Sequence, residues 1–223
     1  MDINPTIEQR KLLDKHLELV IQENTITNLT RIIDWEQGQL LHIEDSLQGI
    51  PEVSQAPVGR LIDLGTGGGF PGIPLAIMTG RETLLVDSVG KKIKALDRII
   101  TELNLTNHIR TYTGRAEELA QQEPESAAVI TARALSSLPS LLELAAPLLQ
   151  KGGYLVCYKG QPSEEEVSHA EELQKLLGMQ LISQRELVLS DSETHRTILV
   201  FEKIADPQVT LPRRIGMAQK KPY

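Results

Sequence analysis

Residues 60–76 read RLIDLGTGGGFPGIPLA, and their order decides the fold. Apolar residues at 61, 62 and 64 form a short buried strand, Asp63 interrupts it near its end, a glycine turn follows, and GIPLA opens a helix. Gly65, Gly67 and Gly69 let the backbone turn sharply and let a ligand approach where a Cβ would collide. A strand, glycine turn and helix in this order belong to an open α/β sheet, whose ligands lie outside the carboxyl ends of the strands where the strand order reverses.

Working outward, strands are expected at 59–64, 83–86, 109–113, 127–132 and 153–158, the first being the one just described, alternating with helical patterns at 72–79, 90–104, 136–150 and 164–177. Such alternation predicts a parallel sheet covered by helices on both faces. Two extended runs, 179–189 and 195–203, separated by the turn-like SDSET, predict a closing hairpin and hence one antiparallel strand. Upstream, residues 6–50 place apolar side chains at helical spacing, with Ile7, Leu12, Leu13, Leu17, Val20 and Ile21 on one face and Leu40, Leu41, Ile43 and Leu47 on another. PEVSQAP at 51–57 reads as a linker. The expected organisation is an N-terminal helical extension with linker over 1–57, an α/β domain over 58–205 and a basic tail over 206–223.

The start MDINPTIEQRK lacks the basic-then-apolar layout of a secretory signal, and no apolar run approaches the roughly 20 residues that span a bilayer. We therefore expect a cytoplasmic protein without a membrane partner. Cys157, alone in the chain and set in YLVCY, is read as packing, which excludes internal disulfides. The histidines share no ligand spacing with it, so no metal is expected. The net charge of −7 argues against nucleic-acid binding through the overall field, but its distribution qualifies this. Residues 1–58 carry four basic and ten acidic groups, residues 59–158 ten of each, and Leu211 to Tyr223 hold Arg213, Arg214, Lys220 and Lys221 with no acid. A short basic tail of this kind can contact phosphate, or be merely solvated.

Two ligands compete for the glycine turn. Gly67, Gly69 and Gly72 satisfy G-x-G-x-x-G, a dinucleotide pattern, although a glycine run fits several registers. The other register, Asp63-x-Gly65-x-Gly67-x-Gly69, sets a carboxylate at the strand's end, where it could face the ammonium group of S-adenosylmethionine. Asp87, ending the next strand about twenty residues on, could accept ribose hydroxyls of either cofactor, or cap the following helix. Ala116 and Glu117 in TGRAEEL stand where a class I methyltransferase would place groups around adenine, although Glu117 taken alone reads as a solvated helix carboxylate. After the fourth strand the chain reads VITARAL, without the Asn/Asp-Pro-Pro-aromatic turn that serves methylation of exocyclic amines. A ring nitrogen such as guanine N7 has no proton to lose, so alignment matters more than a general base. Arg133 could donate to guanine O6 or hold a phosphate, or simply pair with an acid.

The motifs NLTRIID, LLHIEDSL, LIDLGTGGGFPGIPLAI, LLVDSVGKKIKAL, GRAEEL, TARAL, GGYLVCYKG and RRIGMAQKKP run in order through most of the chain. Together they resemble the bacterial 16S ribosomal RNA guanine-N7 methyltransferases, the RsmG or GidB family. The resemblance implies a class I S-adenosylmethionine-dependent, Rossmann-like fold. It also implies a monomeric enzyme that methylates N7 of a guanine in the 530 loop of small-subunit 16S rRNA and releases S-adenosylhomocysteine. It places Gly65, Phe70, Ala116, Glu117 and Arg133 at the cofactor and Asp87 on its ribose, and Asp63, Thr66, Gly67 and Gly69 of the glycine turn complete the expected cofactor site. No residue is assigned as general acid or base; Arg133 is the positioning candidate. Lys159, Arg196, Arg213, Arg214, Lys220 and Lys221 become candidates for RNA contact. GTGGGF departs from the family's frequent GTGPGLPG-like turn: Gly68 should loosen it, and Phe70 offers a larger surface than leucine. Two alternatives stay open, a nicotinamide-dependent oxidoreductase using the second glycine register and a non-catalytic ribosome-binding protein that keeps the cofactor fold.

Overall fold

The computed structural model describes residues 4–223. Strands β1 (Leu61–Leu64), β2 (Thr83–Asp87), β3 (Ile109–Thr113), β4 (Ala127–Arg133), β5 (Leu149–Lys159), β6 (Met179–Val188) and β7 (His195–Lys203) form one sheet in the order β3-β2-β1-β4-β5-β7-β6. The first five run parallel, and β7 pairs antiparallel with both β5 and β6, so it alone is reversed. The strand order turns back between β1 and β4, which places the switch point beside the glycine turn.

Helices α1 (Ile7–Asn24), α2 (Trp35–Gly38), α3 (Asp45–Leu47) and α4 (Ile50–Gln55) precede the sheet. After it begins come α5 (Gly72–Thr79), α6 (Gly90–Glu102), α7 (Ala116–Gln122), α8 (Leu138–Ala145), α9 (Glu164–Leu177) and a terminal turn, α10 (Met217–Lys220). Local chemistry sets their ends. Thr6 and Gln9 form a capping box at α1, and Ser163 accepts from the Glu166 amide at α9, whose first turn holds Glu164, Glu165 and Glu166 against the positive end of the helix dipole. Between α2 and α3 the chain winds as a π-helix over Gln39–Glu44. Such insertions re-aim side chains and recur at functional sites.

Three expectations are corrected. Residues 51–57 are not a linker: α4 covers most of them, because Pro51 sits in the first turn, where its missing N–H leaves no bond unmade, while Ile50 and Val53 are fully buried. Ile7 does not join the buried face of α1; it is 78% exposed in the helix's first turn, and burial is carried by Leu13, Leu17 and Val20. The expected helix 136–150 is also shorter than its apolar run, since Leu149 already belongs to β5.

The sheet separates two apolar clusters. One joins Leu13, Leu17 and Val20 of α1 with Ile73 and Leu75 of α5 and Leu85 of β2; the other joins Ile62 and Ile130 with Leu142, Leu155 and Phe201. Each such buried side chain contributes about 1.5–3 kcal/mol. The N-terminal helices therefore complete one face of the sheet's core. Cys157 is fully buried among the second cluster, and burial pushes its thiol up to about 12, which suits packing. No helix among the described residues is long and apolar enough to cross a membrane.

Candidate active site

Two clefts open along the carboxyl ends of β1 to β5 and share Ala134, the residue just after β4. The first, about 300 Å3, is lined by Gly65, Asp87, Ala116, Glu117, Leu135 and Gln219. The second, about 360 Å3, is lined by His42, Asp45, Arg133, Tyr158, Lys159 and Arg196. Ala134 holds φ at +53°, an uncommon value for a residue with a Cβ, and so turns the chain between the two. A roomier cleft of about 760 Å3 lies between α9 and the β6–β7 hairpin, away from the switch point. Position at the switch point, and not size, selects the first two.

The glycine turn is built by its acids. Asp63 on β1 is wholly buried and stands opposite Thr131 in the β1–β4 register. Its Oδ1 accepts from Thr131 Oγ1 at 2.8 Å and its Oδ2 from the Gly72 amide at 3.0 Å, tying the end of β1 to the start of α5. Burial raises its pKa to about 6, against the hydrogen bonds that hold it down. The Thr66 hydroxyl leans on this carboxyl yet makes no hydrogen bond of normal geometry, leaving a buried oxygen without a partner. Asp87, 8% exposed, accepts from the Gly67 amide at 3.2 Å and from the Val89 amide at 2.9 Å, joining the glycine turn to the approach of α6. Gly65 has φ +71°, and a Cβ there would meet Leu135 Cδ1 at 2.6 Å. The turn is thus an open cradle whose floor is backbone, with an orphaned hydroxyl beneath it and a carboxylate at its lip. These features fit the adenosine and amino-acid parts of S-adenosylmethionine.

The second cleft is organised by Asp45, which is fully buried and receives two arginines. Arg133 Nη1 donates to its Oδ2 at 2.8 Å, and Arg196 Nε to its Oδ1 at 2.7 Å. Arg133 also donates to the Leu41 carbonyl at 2.8 Å and meets His42 Nδ1 at 3.2 Å. Because guanidinium only donates, His42 Nδ1 accepts, and its Nε2–H must donate to Thr30 Oγ1, 2.8 Å away. The π-helix supplies the Leu41 carbonyl, the His42 ring and, one residue past its end, Asp45. Phe70 is buried between two imidazoles, 4.3 Å from His16 and 4.4 Å from His42 between centroids, with Arg133 Cζ 5.8 Å from its own ring centre. The larger surface of Phe70 is filled by this stack. Burial drives His16 down to about 4 and, helped by Arg133, His42 down to about 3, so both are neutral at physiological pH. His16 Nε2 therefore donates to the Gly68 carbonyl at 3.0 Å and leaves a bare, buried Nδ1.

Of the residues expected at the cofactor, the structure brings Gly65, Asp87, Ala116 and Glu117 to the first cleft, and Arg133 to the second. Asp63, Thr66, Gly67, Gly69 and Phe70 stand behind them: Asp63 faces inward, and Gly69 donates to the Thr66 carbonyl within the turn. Glu117 already accepts from the Gly216 amide at 2.7 Å. The RNA candidates divide. Lys159 and Arg196 line the second cleft, with Lys159 paired to Glu166 at 2.7 Å. Arg213 is paired bidentately with buried Glu143 at 2.6 Å and lies over the Tyr223 ring, so it anchors the tail, whereas Arg214, Lys220 and Lys221 are exposed. Sequence reasoning did not single out Asp45, His42, His16 or Gln219 for a role; LLHIEDSL, with His42 and Asp45 three apart, carried the signal for two of them.

Residues 9–195 match the GidB family, described as rRNA small subunit methyltransferase G. The ribosomal RNA small subunit methyltransferase G of Desulfitobacterium hafniense is 36% identical over 225 residues, covering 100% of this chain and 92% of that one. The protein of the same name from Trichormus variabilis is 38% identical over 228 residues, covering 98% and 92%. Among solved structures, geranyl diphosphate C-methyltransferase from Streptomyces coelicolor, in complex with magnesium, geranyl diphosphate and S-adenosyl-L-homocysteine, superposes with a TM-score of 0.57 at 14% identity, covering 71% of this chain and 77% of that one. That likeness shows the fold, a mostly parallel Rossmann-like methyltransferase sheet.

Proposed function

This chain belongs to the GidB family of small-subunit rRNA methyltransferases, and from that premise we propose that it uses S-adenosylmethionine to methylate N7 of a guanine in the 530 loop of 16S rRNA. The observation that carries the reading is the pair of clefts meeting at Ala134, one a backbone cradle with Asp87 at its lip, the other lined with cations. S-adenosylmethionine would supply an electrophilic methyl group in the first cleft, and N7 brings its own lone pair, so no proton need be removed before attack. This chain's residues align and orient. Asp87 accepts from the ribose while keeping the Gly67 amide in place, and Asp63 holds the turn against α5 without facing the ligand. Ala116 and Glu117 border the adenine, and Gly65 leaves room for the amino-acid part. Arg133, held by Asp45, Leu41 and His42, presents its guanidinium at the second cleft and positions the guanine there. Lys159 and Arg196 with exposed Arg214, Lys220 and Lys221 hold the RNA backbone.

We further infer a monomeric, cytoplasmic enzyme organised as a helical extension, a methyltransferase domain and a C-terminal tail, whose partner is the small ribosomal subunit or its RNA. Calorimetry tests the cofactor: the protein should bind S-adenosylhomocysteine and not NAD. Preference for NAD would overturn the reading.

A further inference from the structure

The expected role of residues 206–223 was a basic tail for RNA, but the structure folds this segment back across the cofactor cleft. Four neighbouring positions fix it. Arg213 pairs with Glu143, the Gly216 amide donates to Glu117 Oε1, Ser140 Oγ donates to the Ala218 carbonyl, and Arg115 Nη1 donates to Gln219 Oε1 at 2.9 Å. Glu143, Ser140 and Ala218 are all buried, so the anchor is part of the core. The consequence is that Gln219, more than a hundred residues from Arg115 in sequence, lines the first cleft beside Ala116 and Glu117.

We propose that Gln219 is a cofactor-binding residue, whose side-chain Nε2–H donates to a ring nitrogen of the adenine. The assignment of its amide follows from its partner. Arginine only donates, so the atom 2.9 Å from Arg115 is the oxygen, and the amide nitrogen, a pure donor, is the group left for a ligand. Adenine presents acceptors at its ring nitrogens, and Glu117, an acceptor whose Oε1 the tail already engages, cannot serve them. The tail thus adds a side-chain amide to the wall of this cleft, and the same short segment carries exposed Arg214, Lys220 and Lys221.

This proposal rests on the cofactor reading above, and its test separates the two. S-adenosylhomocysteine is titrated calorimetrically into the wild-type protein and into Gln219→Ala and Gln219→Glu, with thermal unfolding recorded for each. Gln219 is exposed, so the variants should melt with the wild type. Both should bind about tenfold more weakly, the loss of one hydrogen bond, because glutamate keeps the oxygen for Arg115 but removes the donor. Among the 1-, 3- and 7-deaza analogues of S-adenosylhomocysteine, one should bind wild type about tenfold more weakly and be insensitive to the substitution. Wild-type affinity in Gln219→Glu, or equal sensitivity of all three analogues to the substitution, would overturn the assignment. Failure of the wild type itself to bind S-adenosylhomocysteine would instead overturn the cofactor reading.

Discussion

Lowering the pH from 7 to 5 should destabilise this protein through the His16–Phe70–His42 stack. Both histidines are buried and neutral, at about 4 and about 3 against an ordinary 6.5. A histidine whose folded pKa is depressed contributes stability above its unfolded pKa and loses it as pH falls toward the folded value. Between pH 7 and 5 each therefore costs about 2 kcal/mol, from 1.36 kcal/mol per pH unit below 6.5. Asp63 acts the other way. Its folded pKa of about 6 lies above the ordinary 3.8, so its ionisation in the folded state is a burden that is relieved as pH falls through 6. That returns about 1.3 kcal/mol over the same interval. The net expected loss is about 2–3 kcal/mol, a large share of the stability of an ordinary domain. Urea unfolding followed by circular dichroism at half-unit pH steps measures it, with His16→Gln and His42→Gln as comparators. Each variant should flatten the slope between pH 6.5 and 5 by about 2 kcal/mol. An unchanged slope in both would refute the assignment of the acid response to the stack.

The double arginine cage of Asp45 predicts that Arg133→Ala destabilises by about 3–5 kcal/mol in urea, since it strips a buried carboxylate of one partner, and that Arg133→Lys rescues little because lysine cannot serve Asp45, Leu41 and His42 from one planar fork. Gly65→Ala should cost about 1 kcal/mol for its positive φ and, by pushing Leu135 into the cleft, weaken S-adenosylhomocysteine binding at least tenfold by calorimetry. Arg213→Ala should release residues 206–223 to limited proteolysis, with cleavage there and not in the sheet, and equal resistance in variant and wild type would contradict the anchor. Arg214→Ala and Lys220→Ala should each lower the salt slope of RNA binding by about one while leaving cofactor affinity alone.

The sheet was legible because its signals are local: the period changes after residue 58, and helices 72–79 and 164–177 are bounded by glycine and a serine cap that act within one turn. PEVSQAP misled because proline reads as a break without its context, and Pro51 occupies the one turn of a helix that tolerates it. Asp87 and Gly65 could be placed from strand ends, whereas Ala116 and Glu117, which begin the helix after β3, were placed only by likeness to known methyltransferases. The second cleft could not. Its centre is Asp45, whose partners Arg133 and Arg196 lie 88 and 151 residues away, and which follows directly on a π-helix that no apolar spacing announces. Likewise the tail's cations were visible while its anchors were not, because Glu143 and Ser140 read as ordinary residues of an apolar helix. Asp63 shows the subtler limit: position along a strand was readable, but whether its carboxylate turned toward a ligand or toward Thr131 depended on the neighbouring strand.

The most direct test of the account supplies purified protein and labelled S-adenosylmethionine to small ribosomal subunits and their RNA from a strain lacking the enzyme, and maps the label by cleavage and mass spectrometry. The account predicts one methyl group per subunit, on N7 of a guanine in the 530 loop. No incorporation into either substrate, or a methyl group on an exocyclic amine or ribose, would contradict it.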